Sequence, residues 1–325
     1  MSTGNLIEVK ALTKHFPVGT ASLGRFRKDV VHAVDGVDLE IRKGETLGLV
    51  GESGCGKSTL GRCILRLIEP TSGRIFFDSQ DICSLSRGAM RLVRKDMQII
   101  FQDPFSSLDP RMNVERAVSQ PFDVFDVPEG QSRKERVLAL VEAVGLDASS
   151  LQRFPHQFSG GQRQRIAIAR ALALNPRFIV ADEPVSALDV SIRAQILNLL
   201  KQLKRRFQLT YLYISHDLST VKFISDRVAV MYLGKLVETA PAKALFQAPK
   251  HPYTRALIDA VPVPDPEVRN RRQPMRGEPP SPISPPAGCR FHPRCPNVMP
   301  ICKTEEPRLN AGEAGHRVAC HLYSN

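Results

Sequence analysis

Short apolar runs recur along the first two thirds of the chain and predict buried strands. They lie at Thr46–Val50, Arg74–Phe77, Met97–Phe101, Phe178–Ala181 and Tyr211–Ser215. The last two runs show no polar alternation and each follows a helical stretch, which is typical of strands covered on both faces of a parallel sheet. The pattern therefore predicts an α/β fold.

Between about Asp103 and Phe158 the spacing of apolar residues changes from strand-like to helical. The clearest segment is 132–144, with apolar side chains at Val137, Leu138, Leu140, Val141 and Val144. This spacing is typical of an amphipathic helix. We therefore predict a helical insertion over about residues 103–164.

Proline becomes abundant after Pro262, as in residues 279–282 and 285–286. Such segments form extended linkers that need not pack against a core. The change divides the chain into a main domain over residues 1–260 and a C-terminal extension over residues 261–325.

Composition narrows the class of protein only slightly. A chain of 325 residues can bury a full core, and it has no apolar run near the ~18 residues that would span a membrane. The N-terminus lacks the basic start and apolar core of a secretory signal, so we expect a cytoplasmic, reducing location. The net charge of +12 fits nucleic acid, anionic lipid or a solvated surface, and it does not choose between them.

The first chemical motif is the loop at residues 51–58, Gly-Glu-Ser-Gly-Cys-Gly-Lys-Ser, which follows a predicted strand. It matches the phosphate-binding pattern G-x-x-x-x-G-K-[ST]. In such a loop the backbone N–H groups wrap the phosphates, the lysine reaches the outer phosphates and the hydroxyl ligates Mg²⁺. The predicted binding residues are Ser53, Gly54, Cys55, Gly56, Lys57 and Ser58, with Thr59 adding a phosphate contact.

Acidic and imidazole groups follow two of the later predicted strands. Asp182 and Glu183 end one strand, and His216 follows Ser215 at the end of the next. Ligands bind at the carboxyl ends of strands in open α/β sheets. We predict that Asp182 faces the metal, that Glu183 faces the attacking water and that His216 holds a γ-phosphate.

A second glycine turn, Phe158-Ser-Gly-Gly-Gln162, opens an arginine-rich helix. The free N–H groups of a helix start suit a phosphate, so the chain offers two phosphate-binding turns. A P-loop kinase or GTPase would leave this turn and His216 unexplained.

With these motifs in this order, the chain resembles the ATP-binding subunit of ABC transporters over roughly residues 6–260. The resemblance implies a RecA-like P-loop NTPase core with a helical subdomain. It identifies residues 51–58 as Walker A, 182–183 as Walker B, 158–162 as the signature, 186–189 as the D-loop with Asp189, and His216 as the switch. It also makes Gln102 the Q-loop residue, which would contact Mg²⁺ or water and link the ATP site to the helical insertion.

The same resemblance implies that Phe16 stacks on adenine. The family usually has Leu where this chain has Phe158 and often Tyr where it has Phe16. Both changes keep an apolar body, so they affect fine affinity and leave the mechanism intact.

The two phosphate-binding turns also predict a dimer. Because residues 51–58 already hold the phosphates of this chain's ATP, Ser159, Gly160 and Gly161, followed by Gln162, would hold the γ-phosphate of ATP bound on a second ATPase subunit. Neither chain alone would then have a complete site.

Seven cysteines are spread unevenly, and four of them, Cys289, Cys295, Cys302 and Cys320, lie in the last 37 residues. With residues 251–257, His-Pro-Tyr-Thr-Arg-Ala-Leu, this arrangement resembles the C-terminal extension of oligopeptide/dipeptide importer ATPases. Four thiolates suit an iron–sulfur cluster or Zn²⁺, and the resemblance favours [4Fe–4S]. A mixed zinc site with His292, His316 or His321, a disulfide, and four unligated thiols stay open.

The resemblance implies an ATP-hydrolysing subunit that energises uptake of di- or oligopeptides. Its expected partners are a second, paralogous ATPase, two permease subunits and an extracytoplasmic peptide-binding protein, with no direct nucleic acid, at the cytoplasmic face of the inner membrane. The alternatives are an importer of another cargo such as nickel and a soluble ABC ATPase acting on nucleic acid or ribosomes. The basic residues Arg269, Arg271, Arg272 and Arg276 form either a solvated linker or a surface for anionic headgroups or the membrane subunits.

Overall fold

The computed structural model describes residues 4–22, 25–103, 107–127, 130, 132–261, 277–311 and 315–323. The basic segment from Arg269 to Arg276 lies outside these residues. The chain forms two compact units. The helical unit comprises Met1–Leu6, Ile41–Thr46 and Ser84–Ser215, and the phosphate-loop unit comprises Ile7–Glu40, Leu47–Cys83 and His216–Asn325.

Strands and helices alternate along much of the chain, as the apolar pattern predicts. The strands are β1 (Asn5–Ser22), β2 (Arg25–Arg42), β3 (Thr46–Val50), β4 (Ser72–Phe77), β5 (Gln80–Asp81), β6 (Met97–Ile100), β7 (Phe178–Asp182), β8 (Thr210–Ile214), β9 (Arg227–Tyr232), β10 (Lys235–Pro241), β11 (Asn310–Ala311) and β12 (Arg317–Val318). The helices are α1 (Lys57–Ile64), α2 (Arg87–Val93), α3 (Val114–Ser119), α4 (Arg133–Ala143), α5 (Gly160–Ala171), α6 (Val190–Phe207), α7 (Leu218–Ile224), α8 (Ala242–Gln247) and α9 (Pro252–Asp259).

The helical unit contains three neighbouring parallel strands in the order β8-β7-β6. Every residue of β7 and β8 is buried, which confirms the expectation drawn from their unbroken apolar runs. Ile100 of β6 lies opposite Ala181 of β7, so the residues that follow these two strands leave the sheet at the same level.

Helix α4 lies within the predicted helical insertion. Ser132 caps its N-terminus in a capping box with Glu135, in which each side chain accepts a hydrogen bond from the other's backbone N–H. Val137, Leu140 and Val141 are fully buried, so the apolar spacing of the segment corresponds to its packed face.

The phosphate-loop unit contains two runs of strands. One is a sheet of order β2-β1-β4-β5, in which β1 and β4 are antiparallel. The other has the order β3-β9-β10-β12-β11, with β3 and β9 parallel and the remaining pairs antiparallel. The C-terminal extension thus adds its two short strands to the edge of β10.

The proline-rich segment packs more than its composition predicts. The carbonyl of Pro282 accepts a hydrogen bond of 3.0 Å from the backbone N–H of His32. Later in the extension, the backbone N–H of Ala319 donates a hydrogen bond of 2.8 Å to the carbonyl of Val237. In the part of the chain that the structure describes, no helix combines the length and apolar character needed to cross a bilayer.

Candidate functional site

The phosphate loop connects β3 to α1 within the phosphate-loop unit. Gly56 caps α1 with φ of 108° and no side-chain hydrogen bond, so the first N–H groups of the helix meet no capping side chain. A Cβ at Gly56 would lie 1.9 Å from the carbonyl oxygen of Ala33, which only glycine avoids. The local sequence therefore forces the bare backbone turn that a phosphate requires.

Lys57 is buried, with 5% of its surface exposed, and its ammonium lies inside the loop. It donates hydrogen bonds to the carbonyls of Gly51 at 2.8 Å and Glu52 at 2.9 Å. The side chain of Cys55 points inward and burial raises the pKa of its thiol, against a lowering effect of Lys57. Cys55 therefore has only its backbone to offer a ligand, whereas Lys57 places a positive charge in the loop.

Asp182 and Glu183 stand at the carboxyl end of β7, as predicted. Asp182 is buried and Glu183 is half-buried. Glu183 has φ of 48°, a left-handed conformation that is uncommon for a residue other than glycine. Its backbone N–H donates to the carbonyl of Ile214 at 2.9 Å, and Ser186 Oγ donates to its carbonyl at 3.0 Å. Strained conformations of this kind concentrate at functional sites.

The side chains of Gln102 and Glu183 are in direct contact. Its amide nitrogen donates a hydrogen bond of 2.9 Å to Oε2 of Glu183. Gln102 is exposed, so one side of this pair faces solvent and is open to a reacting water. Of the predicted chemical residues, Gln102, Asp182 and Glu183 share the helical unit, whereas the phosphate loop and His216 belong to the phosphate-loop unit.

His216 is exposed and directly precedes the N-cap of α7. Asp217 is that cap, and its carboxylate accepts a hydrogen bond of 2.9 Å from the backbone N–H of Ser219. The cap fixes the turn in which His216 sits, so the imidazole is presented at the start of the helix.

The signature turn opens α5 with a capping box. Ser159 Oγ accepts from the N–H of Gln162 at 3.3 Å, and the side-chain oxygen of Gln162 accepts from the N–H of Ser159 at 3.0 Å. A Cβ at Gly161 would lie 2.3 Å from Cγ2 of Ile192, in α6. Gly161 is thus a packing requirement of α5 against α6 as well as part of the turn.

The D-loop lies between β7 and α6. Leu188 is buried, and its Cδ2 would be 3.3 Å from a Cβ at Gly160, so the D-loop and the signature turn are in contact. Asp189 is the exposed N-cap of α6, and its side chain makes no capping hydrogen bond.

Phe16 is half-buried in β1. The ammonium of Lys14 lies 4.9 Å from the centre of its ring. The ring is therefore not a core aromatic, and it has a surface-exposed part that a planar base can reach.

The four C-terminal cysteines are free thiols that influence one another. Burial, reinforced by the thiols of Cys302, Cys320 and Cys295, raises the pKa of Cys289 to about 11. Burial likewise raises the pKa of Cys295 and of Cys320, with Cys302 as a neighbour of both. A set of thiols with raised pKa values becomes thiolate when a soft cation compensates the charge.

The nearby histidines have other partners. His316 is buried and its Nε2 lies 2.6 Å from Oε1 of Glu238. His292 Nδ1 lies 2.9 Å from the carbonyl oxygen of Cys289, and His321 Nε2 lies 2.9 Å from that of Glu305. Each contact uses one ring nitrogen, which is also how a metal-ligating histidine is oriented, so these contacts do not choose between a site of cysteines alone and a mixed Cys/His site.

Among the described residues, the one group of three ligand atoms that lie within 4.8 Å of one another is His15, His32 and Asp35. No sequence motif marks this group. Arg290 donates a hydrogen bond to the carboxylate of Asp35, which places a permanent positive charge beside the group. This neighbour makes the group a poor cation site.

Sequence patterns also give no sign of two residues that hold the phosphate loop. Arg294 and Tyr253 both contact Glu52, and both lie in segments that stand out in the sequence only for their cysteines or their resemblance to known extensions. No local pattern marks them, because the contacts join positions about 200 residues apart or more.

Comparisons with known proteins agree with this arrangement. Residues 34–186 match the model of the family described as ABC transporter, and residues 237–302 match that of the oligopeptide/dipeptide transporter C-terminal region. The chain is 52% identical over 324 residues to the oligopeptide transport ATP-binding protein AppF of Bacillus subtilis, covering 98% of each chain.

Solved structures of ATP-binding cassettes have the same fold. The dimeric post-hydrolysis state of the cassette MJ0796 bound to ADP and Pi is 30% identical, with a TM-score of 0.63, covering 73% of this chain and 98% of that one. CbiO1 from Clostridium perfringens, part of the transporter complex cbiONQ, is 29% identical, with a TM-score of 0.64, covering 75% and 91%.

Proposed function

The chain belongs to the ABC transporter family, in its oligopeptide/dipeptide group, and from that membership we propose how its residues act. It is an ATPase of a peptide ABC importer, which couples ATP hydrolysis to uptake through membrane permease subunits. The α/β P-loop NTPase fold and the family resemblance predicted from the motifs are thereby confirmed.

We propose that the hydrogen bond between Gln102 and Glu183 marks the hydrolytic centre. The Gln102 amide orients the Glu183 carboxylate, which polarises the attacking water and takes up its proton. Lys57 supplies positive charge to the phosphates, and His216 holds the γ-phosphate. Phe16 stacks on adenine, the backbone N–H groups of residues 53–58 wrap the phosphates, and Thr59 adds a phosphate contact.

Oxygen donors of the kind that Mg²⁺ prefers are present among the proposed ligands, namely the Ser58 hydroxyl, the Asp182 carboxylate and the Gln102 amide oxygen. When bound, Mg²⁺ neutralises charge on the phosphates. The buried position of Asp182 at the end of β7 suits a carboxylate that is compensated by a cation.

We propose that the signature turn, Ser159, Gly160, Gly161 and Gln162, together with Asp189, completes the ATP site of a second ATPase subunit. The capping box keeps this turn in one conformation, and the dimeric MJ0796 cassette bound to ADP and Pi is a relative in which two such chains associate. We further propose that the second subunit is a paralogue. An extracytoplasmic peptide-binding protein would deliver cargo, and the chain would lie at the cytoplasmic face of the inner membrane.

We propose that the chain has a nucleotide-binding domain over residues 1–260, which includes a helical subdomain over about 103–164, and an extension over 261–325.

An uptake assay tests the function as a whole. The complete complex in proteoliposomes, with ATP on the side of this chain, should accumulate labelled di- or oligopeptide and hydrolyse ATP faster when peptide and binding protein are present. Uptake of ⁶³Ni²⁺ without peptide uptake would identify nickel as the cargo instead.

For the cysteines we propose a [4Fe–4S] cluster held by Cys289, Cys295, Cys302 and Cys320. A Zn²⁺ ion with four thiolates at about 2.3 Å brings the sulfurs within about 3.8 Å of one another. No three of these four thiols, all of them described, have sulfurs that lie within 4.8 Å of one another. The thiols are thus not gathered around a single ion, and the resemblance of the extension to that of oligopeptide/dipeptide importer ATPases supports the cluster.

Analysis of anaerobically purified protein distinguishes the two metals. We expect about four irons and four acid-labile sulfides per chain, with broad visible absorption that bleaches on reduction. If the protein instead contains one equivalent of zinc and no sulfide, the four cysteines form a zinc site and the cluster proposal is wrong.

A further inference from the structure

The C-terminal extension contacts the phosphate loop through one arginine. Nη1 of Arg294 lies 2.9 Å from Oε2 and 3.1 Å from Oε1 of Glu52, and Nη2 lies 3.1 Å from Oε1. Arg294 belongs to the short 3₁₀ turn His292–Arg294, which directly precedes Cys295. Arg294 is 6% exposed, so the pair is largely shielded from water.

Glu52 is also held through its backbone. Its N–H donates a hydrogen bond of 2.9 Å to the hydroxyl of Tyr253, at the start of α9. Tyr253 packs against Tyr232 and Phe291, with ring centres 4.7 and 5.4 Å away. Phe291 and Tyr253 are fully buried, so the hydroxyl that binds the Glu52 backbone belongs to a tightly packed aromatic cluster.

Glu52 also contacts the phosphate-binding lysine, Lys57. The carbonyl of Glu52 accepts a hydrogen bond of 2.9 Å from Lys57 Nζ. Glu52 is itself a residue of this loop, so its carboxylate brings a negative charge close to a strongly anionic ligand. Without a cationic partner, that carboxylate would repel a triphosphate and would leave the backbone of the loop less constrained.

We propose that Arg294 is a positioning residue for ATP binding, which neutralises Glu52 and holds the phosphate loop through it. The inference rests on the proposed role of residues 51–58 in binding ATP. A bidentate guanidinium–carboxylate pair supplies both charge and a fixed geometry, which a lysine ammonium does not. The extension is thus part of the nucleotide site, although Arg294 lies more than 230 residues from the loop in sequence.

A charge-removal cycle tests this proposal on the full chain in complex with its permease subunits. Arg294→Gln should raise both the dissociation constant of a fluorescent ATP analogue and the KM for ATP by roughly tenfold, which corresponds to about 1.4 kcal/mol. The kcat at saturating ATP should change much less, because Arg294 does not touch the reacting groups. Arg294→Lys should have a dissociation constant and a KM for ATP between those of the unmodified protein and those of Arg294→Gln.

The double variant Glu52→Gln with Arg294→Gln separates this role from a general loss of stability. Removing the uncompensated carboxylate should restore most of the ATP affinity, while the melting temperature need not recover. Arg308→Gln, an exposed arginine of the same extension, is the matched control and should bind ATP normally.

Two results would overturn the proposal: unchanged ATP affinity in Arg294→Gln, or a loss of affinity that Glu52→Gln does not relieve. Lys57→Ala tests the underlying assignment independently. If that variant binds ATP normally, the assignment of the phosphate loop fails, whatever Arg294 does.

Discussion

The amide of Gln102 donates a hydrogen bond of 2.9 Å to the carboxylate of Glu183, across two neighbouring parallel strands. Ile100 and Ala181 lie opposite each other in the register of β6 and β7, and each of the bonded residues follows two positions later. The register therefore brings an amide and a carboxylate together at the carboxyl edge of the sheet. Glu183 adds a left-handed turn with φ of 48°, which redirects the chain directly after the strand.

Glu183→Gln should abolish turnover while ATP remains bound. The substitution keeps the shape of the side chain and its contact with Gln102 but removes the group that accepts the proton, which typically contributes about 10²–10⁴-fold to a rate. Single-turnover hydrolysis and retention of labelled ATP on the complex measure the two effects. Glu142→Gln, an exposed glutamate at the end of α4, is the control, and normal hydrolysis by the Glu183 variant would refute the assigned role.

Gln102→Ala should lower kcat by roughly tenfold with a smaller change in the KM for ATP, since it leaves the Glu183 carboxylate without its orienting donor. Steady-state ATP hydrolysis by the complete complex measures both constants. Gln98→Ala on β6 is the matched control, because the amide of Gln98 donates to the nearby carbonyl of Arg94 at 2.8 Å. Equal kcat values for the two variants would contradict a positioning role for Gln102.

Gly161→Ala should destabilise the protein by about 1–3 kcal/mol, as overpacking of a core usually does. The new methyl group would meet Cγ2 of Ile192 at 2.3 Å, a branch close to the backbone that cannot swing away. Urea unfolding of the full chain measures the loss of free energy.

A double-mutant cycle with Ile192→Ala identifies the cause of that loss. Because Ile192→Ala removes the clashing atom, Gly161→Ala should cost much less in this background. Gly160→Ala should be milder, since its neighbour at 3.3 Å is the flexible end of Leu188. Equal costs of Gly161→Ala in both backgrounds would show that the packing of α5 against α6 is not responsible.

The sequence predicts the elements of this protein well because each signal is local. Buried parallel strands produce unbroken apolar runs, and the phosphate loop and the signature turn are contiguous motifs with a fixed residue order. The α4 prediction is accurate for the same reason, since Ser132 and Glu135 cap the helix from within its own sequence.

The contacts between distant segments could not be predicted in this way. The pairing of Arg294 with Glu52, and of His316 with Glu238, joins side chains that no periodicity relates. The composition of the proline-rich segment likewise gives no indication that the Pro282 carbonyl pairs with His32. Such contacts depend on the tertiary packing of the C-terminal extension, which single-sequence patterns do not encode.

His251 should make the stability of the protein depend on pH below neutrality. It is fully buried, and burial lowers its pKa to about 3 from an ordinary value of 6.5. Its Nδ1 accepts a hydrogen bond of 3.0 Å from the N–H of Tyr253 and so caps α9 in the neutral form. Between pH 6.5 and 3 the unfolded chain therefore binds a proton that the folded chain does not.

Stability from this group is complete above pH 6.5 and falls as the pH is lowered towards 3, at up to about 1.4 kcal/mol per pH unit. His251→Asn keeps a side-chain oxygen that can cap the helix but does not titrate. Urea unfolding at pH 7.5, 6.5, 5.75 and 5.0 should therefore show a loss between pH 7.5 and 5.0 that is about 2 kcal/mol larger in the unmodified protein than in the variant. Glu238 and His316 lie beside this position in both proteins, so their contribution cancels in the difference. His156→Asn, at an exposed site, should leave the pH dependence unchanged, and parallel curves for the protein and His251→Asn would mean that His251 is not the group responsible.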